Sequence, residues 1–401
     1  MNNGSYDIVI VGGGIVGLST AMAIQKRFPG YSLAVVEKES QVARHQTGNN
    51  SGVIHSGIYY KPGFHKAKLC VEGARLIYEF CQTHGVPYDR CGKLIVATKE
   101  EELPRLETLY ERGTANGIAG LEIVGPERVR ELEPHARAIR AVYSPNTGIT
   151  DYGQVAGAMA KSVLKSGGSI FLSSEVTGIR KDGGGYRVET GSGDIGCRFM
   201  ITCAGLYADR VARMTGMDSN VALLPFRGEY YVLKSECRKV RNLIYPVPDP
   251  RFPFLGVHFT KRIDGEYEAG PNAVLAFARE GYDFRDICWN DLKDMFMYPG
   301  FWKMALRYWH VQVYELYRSL NRSAFLAALQ KLVPDLQDRD IERGGAGVRA
   351  QIVTSDGFLA DDFVITESRN VIHVLNAPSP AATASIAIGG YIADLAQKHF
   401  N

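Results

Sequence analysis

An apolar run that breaks on glycines and resumes as a helix constrains this chain more than any other feature. Tyr6-Asp7-Ile8-Val9-Ile10-Val11 is β-branched and unbroken, the pattern of a parallel strand covered on both faces. Gly12-Gly13-Gly14-Ile15-Val16-Gly17 follows at once, and Leu18 to Phe28 reads as a helix. Gly12 permits the tight turn, Gly14 lets backbone approach a pyrophosphate, and Gly17 allows close helix–strand packing. The helix start at Ile15 and Val16 presents free N–H groups and a positive dipole end to phosphates. A bare glycine motif is weak evidence, but this one sits between strand and helix. Ser32 to Val36 makes a second strand ending in Glu37, which lies 20 residues after Gly17, where a ribose hydroxyl needs an acceptor. Lys38 follows and is a further candidate contact. An acid at this position disfavours a 2′-phosphate, so the pattern predicts a dinucleotide other than NADP.

The next segment separates the remaining dinucleotides. Thr47-Gly48-Asn49-Asn50-Ser51-Gly52-Val53-Ile54-His55-Ser56-Gly57 is a small, polar loop. A nicotinamide domain would continue with another βαβ unit here. A polar loop suits a longer ligand lying over the protein, with Thr47, Gly48, Asn50, Ser51 and Val53 as candidate contacts. An ordinary surface loop is the competing reading.

The run from Gly48 to Pro62 resembles the L-2-hydroxyglutarate dehydrogenase/oxidase family, part of the wider D-amino-acid-oxidase-like flavoproteins. Five later stretches resemble it too: Pro225 to Tyr231, Pro253 to Thr260, Gly270 to Ala273, Gly347 to Gln351, and Asn376 to Thr383. The likeness implies a mixed α/β (α+β) fold, in which a Rossmann-type FAD-binding domain interleaves with a mixed-sheet substrate domain. Residues 1–85, 149–209 and 343–401 would form the first, and 86–148 with 210–342 the second. It implies FAD as cofactor, held noncovalently, although His55 has a competing role as an attachment point. Further contacts fall at Val176, at Ala204 and Gly205 after the apolar strand Phe199 to Cys203, and at Gly347. Pro378, Pro380, Ala381 and Ala382 precede a helix beginning near Thr383, whose N–H groups would face the flavin's carbonyl edge.

Local patterns agree with this layout. Asp151 is an N-cap candidate for a helix through about Lys165, and the strands around Gly183-Gly184-Gly185 read as a hairpin. Thr98 to Gly113 is charged and helical, and 221–277 alternates as strands of a mixed sheet.

Oxidising an alcohol beside a carboxylate needs a cation for the carboxylate, a base for the hydroxyl proton, and the C2 hydride facing flavin N5. Arg349 is the first choice for the clamp, since a guanidinium fork meets a carboxylate with two parallel bonds; a surface salt bridge is the alternative. His55 and His258 are the candidate bases. The substrate implied by the resemblance carries a second carboxylate, for which Arg227, Tyr59, Tyr60, Lys61 and Thr260 are candidates. Arg343 and His373 read as structural. A flavin-dependent amino-acid oxidase of glycine or proline type fits the same residues. A flavin-binding scaffold without turnover would be expected to lack them.

Composition excludes other classes. A formal net charge of +3 from 46 basic and 43 acidic residues offers no basic tail for nucleic acid. Seven scattered cysteines without CxxC spacing argue against a disulfide framework or a zinc site. No leader or spanning segment is expected, which suggests a cytoplasmic protein. All three tryptophans fall between 289 and 309, within a segment mixing aromatics with Lys303 and Arg307. Residues 296–322 therefore read either as a buried packing helix or as a peripheral contact with the cytoplasmic face of the inner membrane. The second reading suits electron transfer to a membrane quinone; oxygen is the other candidate acceptor.

Overall fold

The computed structural model describes residues 4–217, 221–237, 239–251 and 254–400. Pro253, the first residue of one of the motifs above, lies outside them. The strand Ser5–Val11 forms with its last four residues buried and is flanked in parallel by Leu33–Val36 and Ile195–Thr202. Ser169–Phe171 extends this sheet beyond Leu33–Val36. Ile195–Thr202 pairs along its first half with Gly185–Thr190 and along its second with Val371–Asn376. The hairpin expected at Gly183 and Gly184 is present, joining Val176–Asp182 to Gly185–Thr190. Both of these glycines have positive φ, which a type I′-like turn requires.

Three helices cover this sheet closely because small residues sit at their crossings. A Cβ on Gly389 would lie 2.6 Å from Ser19 backbone, joining the helices Ile15–Arg27 and Ala381–Gln397. A Cβ on Gly73 would lie 2.5 Å from Ala384, joining the latter to His65–His84. The start of Ala381–Gln397, two residues earlier than the sequence suggested, is thereby held against the first βα turn. Asp151 caps the helix Tyr152–Lys165 as expected, accepting from Gly153 and Gln154 N–H.

A nine-stranded sheet lies across the cavity from these elements. Its longest pair is Val221–Leu233 with Ile341–Thr354, antiparallel, with Phe226 opposite Arg349 and Gly228 opposite Gly347. Lys93–Ala97 joins in parallel with Leu243–Pro246, so 86–148 and 210–342 share one sheet. Ile341–Thr354 belongs to this sheet as well. The return to the first sheet comes later than residue 343, with Val364–Ser368 and Val371–Asn376.

The segment 296–322 is exposed along one face. Helix Pro299–Leu320 shows Trp302, Leu306, Trp309, Val313, Tyr317 and Leu320 to solvent, with Leu306 77% and Trp309 63% accessible. This is one helical stripe, extended by Trp289 and Met297 nearby. Arg318 and Arg322 do not add free charge to it, because Glu315 and Asp338 pair with them. Among the described residues, no helix is long and apolar enough to cross a membrane.

Candidate active site

A cavity of about 1080 Å³ runs from the first βα turn to the nine-stranded sheet. Its dinucleotide end is built by the glycine turn. Gly12 adopts φ +111°, and a Cβ there would stand 2.3 Å from the Cys203 carbonyl oxygen. Gly14 is the N-cap of Ile15–Arg27 and brings no side-chain cap; Ile15 N–H is met by Thr47 Oγ1 at 3.0 Å. The Glu37 carboxylate accepts from Gly13 N–H at 2.7 Å and Glu39 N–H at 3.0 Å. It therefore holds the turn itself while keeping lone pairs for a ribose.

Gly12, Gly14, Ile15, Val16, Glu37, Lys38, Thr47, Asn50, Ser51 and Val53 all line the cavity. So do Val176, Ala204, Gly205, Gly347, Pro378, Pro380, Ala381 and Ala382. Gly17 and Gly48 lie behind the wall. A Cβ on Gly17 would fall 2.0 Å from Gly12 carbonyl oxygen, and one on Gly48 would fall 2.5 Å from that of Ala43. At both positions the missing Cβ permits close backbone packing. Lys38 reaches the cavity with its ammonium shared by Glu39 and Glu280 at 2.6 and 2.7 Å. It fills the gap between the two carboxylates that converge there with His45.

The opposite end holds His55, His258, Arg349 and Tyr60, all on the cavity wall. Arg227 and Thr260, expected beside them, are not. Gly228 and Tyr230 face the cavity, so strand alternation turns Arg227 to the other side. There it is 1% exposed, bonded to Glu229 at 3.1 Å and to the Asp283 carbonyl at 3.0 Å. Asn272 explains its motif by holding Glu229 at 2.8 Å through both backbone and side chain. Thr260 is buried further along its strand, Tyr59 lines the cavity, and Lys61 is exposed. His373 lies off the cavity, 2.9 Å from Thr202 Oγ1 and 3.1 Å from Thr215 Oγ1, and Arg343 is exposed.

Tertiary structure adds residues that sequence reasoning missed. Tyr152 Oη stands 3.2 Å from the Val53 carbonyl and 3.0 Å from Thr383 Oγ1, which accepts from His55 N–H at 3.1 Å. This knot ties the polar loop to the start of the last helix. Asn376 lines the cavity with a buried, unpartnered Nδ2. Arg105, Thr108, Leu109 and Arg112 reach the wall from helix Leu103–Ala115 at i, i+3, i+4 and i+7 spacing. That spacing was the available signal. Lys93, a lone lysine opening an apolar strand, was another.

His258 has a defined tautomer. Its Nδ1 is 2.9 Å from the Gly256 carbonyl, which can only accept, so the proton sits on Nδ1 and the Nε2 lone pair is free. Burial pushes His258 down to about 3, against the Gly256 bond and reinforced by Arg349 and Lys93. Burial, then Lys93, His258 and Arg349, pushes His55 down to about 3. Both imidazoles are neutral at physiological pH. An unfolded histidine titrates near 6.5, so between about 3 and 6.5 the unfolded chain binds more protons and stability falls as pH falls. For His258 this is about 2 kcal/mol between roughly pH 6.5 and 5. Thermal midpoints should therefore decline from pH 7 to pH 5, less steeply in His258→Asn. Parallel curves for the two proteins would remove His258 as the source.

The cavity fits a flavin dinucleotide on its own terms: a turn in which a Cβ on Gly12 would strike the Cys203 carbonyl, a helix whose N-cap, Gly14, has no side chain, and an unpartnered Asn376 amide on the same wall. Together with two neutral imidazoles and a guanidinium on the same cavity wall, this defines a dinucleotide-dependent oxidoreductase with a pocket under a second sheet. The chain belongs to the FAD dependent oxidoreductase family, whose model matches residues 7–395, and FAD is accordingly its cofactor. It is 48% identical over 397 residues to the L-2-hydroxyglutarate dehydrogenase of Indibacter alkaliphilus, covering 98% of this chain and 100% of that one. It is 49% identical over 414 residues to the mitochondrial L-2-hydroxyglutarate dehydrogenase of Homo sapiens, covering 99% and 89%. Among solved structures, the fold is similar to FAD-bound L-alpha-glycerophosphate oxidase from Mycoplasma pneumoniae, with TM-score 0.80, 24% identity and 99% and 95% coverage. It is also similar to glycine oxidase from Geobacillus kaustophilus, with TM-score 0.73, 19% identity and 99% and 96% coverage.

Proposed function

We propose that this chain oxidises L-2-hydroxyglutarate to 2-oxoglutarate. The observation that carries the reading is near-half identity, over essentially the whole chain, to proteins named for that reaction. The site chemistry supports it. Arg349 on Ile341–Thr354 presents its guanidinium to the cavity and holds the carboxylate next to the reacting carbon. His258 Nε2 takes the hydroxyl proton, and His55 is a second neutral imidazole beside it. Bound FAD supplies the acceptor for the hydride from C2. The alternative, an amino-acid oxidase, has only fold-level support from the glycine oxidase likeness.

We assign the FAD-binding domain to 1–85, 149–209 and the end of the chain, with the strand containing Arg349 at the seam between it and the substrate domain. Anaerobic titration tests the function: L-2-hydroxyglutarate should bleach the flavin, and the D enantiomer, glycine and proline should not. Bleaching by an amino acid alone would replace the reading.

The exposed stripe of Pro299–Leu320 supports peripheral membrane contact, with quinone as the electron acceptor in preference to oxygen. Its tryptophans and leucines would sit among lipid headgroups and acyl chains. Replacing Leu306 and Trp309 by glutamate should move most of the protein from vesicles to the supernatant while sparing turnover with a dye acceptor. Unchanged partitioning would remove the membrane face.

A further inference from the structure

Among the described residues, no carboxylate pairs with one buried cation beside the cavity. Lys93, which opens the strand Lys93–Ala97, is 1% exposed. Its Nζ lies 4.6 Å from the Tyr59 ring centroid and 4.9 Å from that of Tyr245, and both rings line the cavity. The ammonium has no hydrogen-bond partner among the described residues. Tyr59 lines the cavity, and its buried Oη is unpartnered as well.

Burying an unpaired charge is costly, and nothing inside the fold offsets it. Two faces of aromatic quadrupole soften the cost without removing it. The other cations near the cavity are less suited to a buried anion. Lys66 donates to the Asp361 carbonyl at 2.8 Å and pairs with its carboxylate at 3.2 Å, and Arg105 and Arg112 sit half-exposed on a helix face, where they can steer an anion inward.

We propose that Tyr59 and Lys93 form the subsite for the second carboxylate of a dicarboxylate substrate. The Tyr59 hydroxyl donates to that carboxylate, and the Lys93 ammonium behind the ring supplies the counter-charge, while Arg349 holds the first. This rests on the assignment of a 2-hydroxy diacid above. Lys93 acts through Tyr59 and is a positioning residue. Burial pushes its pKa down to about 7, against the pull of the Cys70 thiol. The titratable and charged groups around it are Cys70, His55, His258, Tyr59 and Tyr245. None brings a fixed negative charge. A bound anion raises the Lys93 pKa, so binding above pH 7 draws in a proton.

The test uses holoprotein and two unreactive acids of equal length, glutarate and pentanoate, with binding read from flavin absorbance. Wild type should favour glutarate. Lys93→Met should lose about ten- to a hundredfold for glutarate while pentanoate binding changes by less than about threefold. Tyr59→Phe should shift the same preference in the same direction. Proton uptake with glutarate at pH 8 should vanish in Lys93→Met. That variant should melt no lower than wild type, because an apolar side chain of similar volume replaces an unpaired charge. Lys93→Met that discriminates as wild type does, or loses both acids equally, overturns the subsite alone. Wild type whose flavin is not reduced by L-2-hydroxyglutarate overturns the substrate assignment and this subsite with it.

Discussion

Arg349→Met is expected to lower kcat/KM for L-2-hydroxyglutarate about a thousandfold, the effect of removing one partner of a desolvated, hydrogen-bonded charge pair. The residue sits opposite Phe226 on the long antiparallel pair, and its guanidinium lies 5.5 Å from the Phe254 ring centroid at the cavity wall. Strand pairing fixes its backbone from Val221 to Leu233, so the side chain is presented by a rigid element. Arg349→Lys should recover about tenfold of the loss, because charge returns but the second parallel bond does not. The flavin content of both variants should match wild type, since Arg349 makes no contact that shapes the glycine turn. Steady-state rates with a dye acceptor check this, and variants within about threefold of wild type would remove Arg349 from the carboxylate site.

The other large effect is at the turn. Gly12→Ala should leave protein without bound FAD and less stable by more than about 3 kcal/mol. Two independent costs add there. A φ of +111° is poorly tolerated by a residue with a Cβ, and that Cβ would stand 2.3 Å from the Cys203 carbonyl oxygen. Cys203 follows a fully paired strand and cannot retreat. Gly30→Ala is the control, since an added Cβ there meets nothing within 4 Å. Equal denaturation midpoints and equal flavin content for Gly12→Ala and wild type would show that the turn does not depend on that position.

The dinucleotide end was legible because its chemistry is local. The turn, the first helix and Glu37 lie within about forty residues of one another, and each glycine answers a steric demand of its immediate neighbours. The substrate end was legible only in its motif residues. Arg227 stood in a motif as prominent as that of Arg349, yet the pleat sends it to Glu229 and Asp283, while Gly228 and Tyr230 face the cavity. A one-residue difference in strand register exchanges the two outcomes, and register is set by pairing with a distant strand. The same limit hid the extension of the substrate sheet to Thr354. That pairing joins segments more than a hundred residues apart.

Sequence alone determined that this chain carries a dinucleotide-binding βα turn, and it named Arg349, His55 and His258 as candidates for a clamp and a base, because those features follow from backbone sterics and side-chain chemistry over short spans. Only the tertiary structure decided which face of each strand looks into the cavity. It also showed that His258 keeps its lone pair on Nε2, and that Lys93 lies unpaired behind Tyr59. Those outcomes depend on non-local pairing and on what burial removes from water, and neither is written in the neighbouring residues.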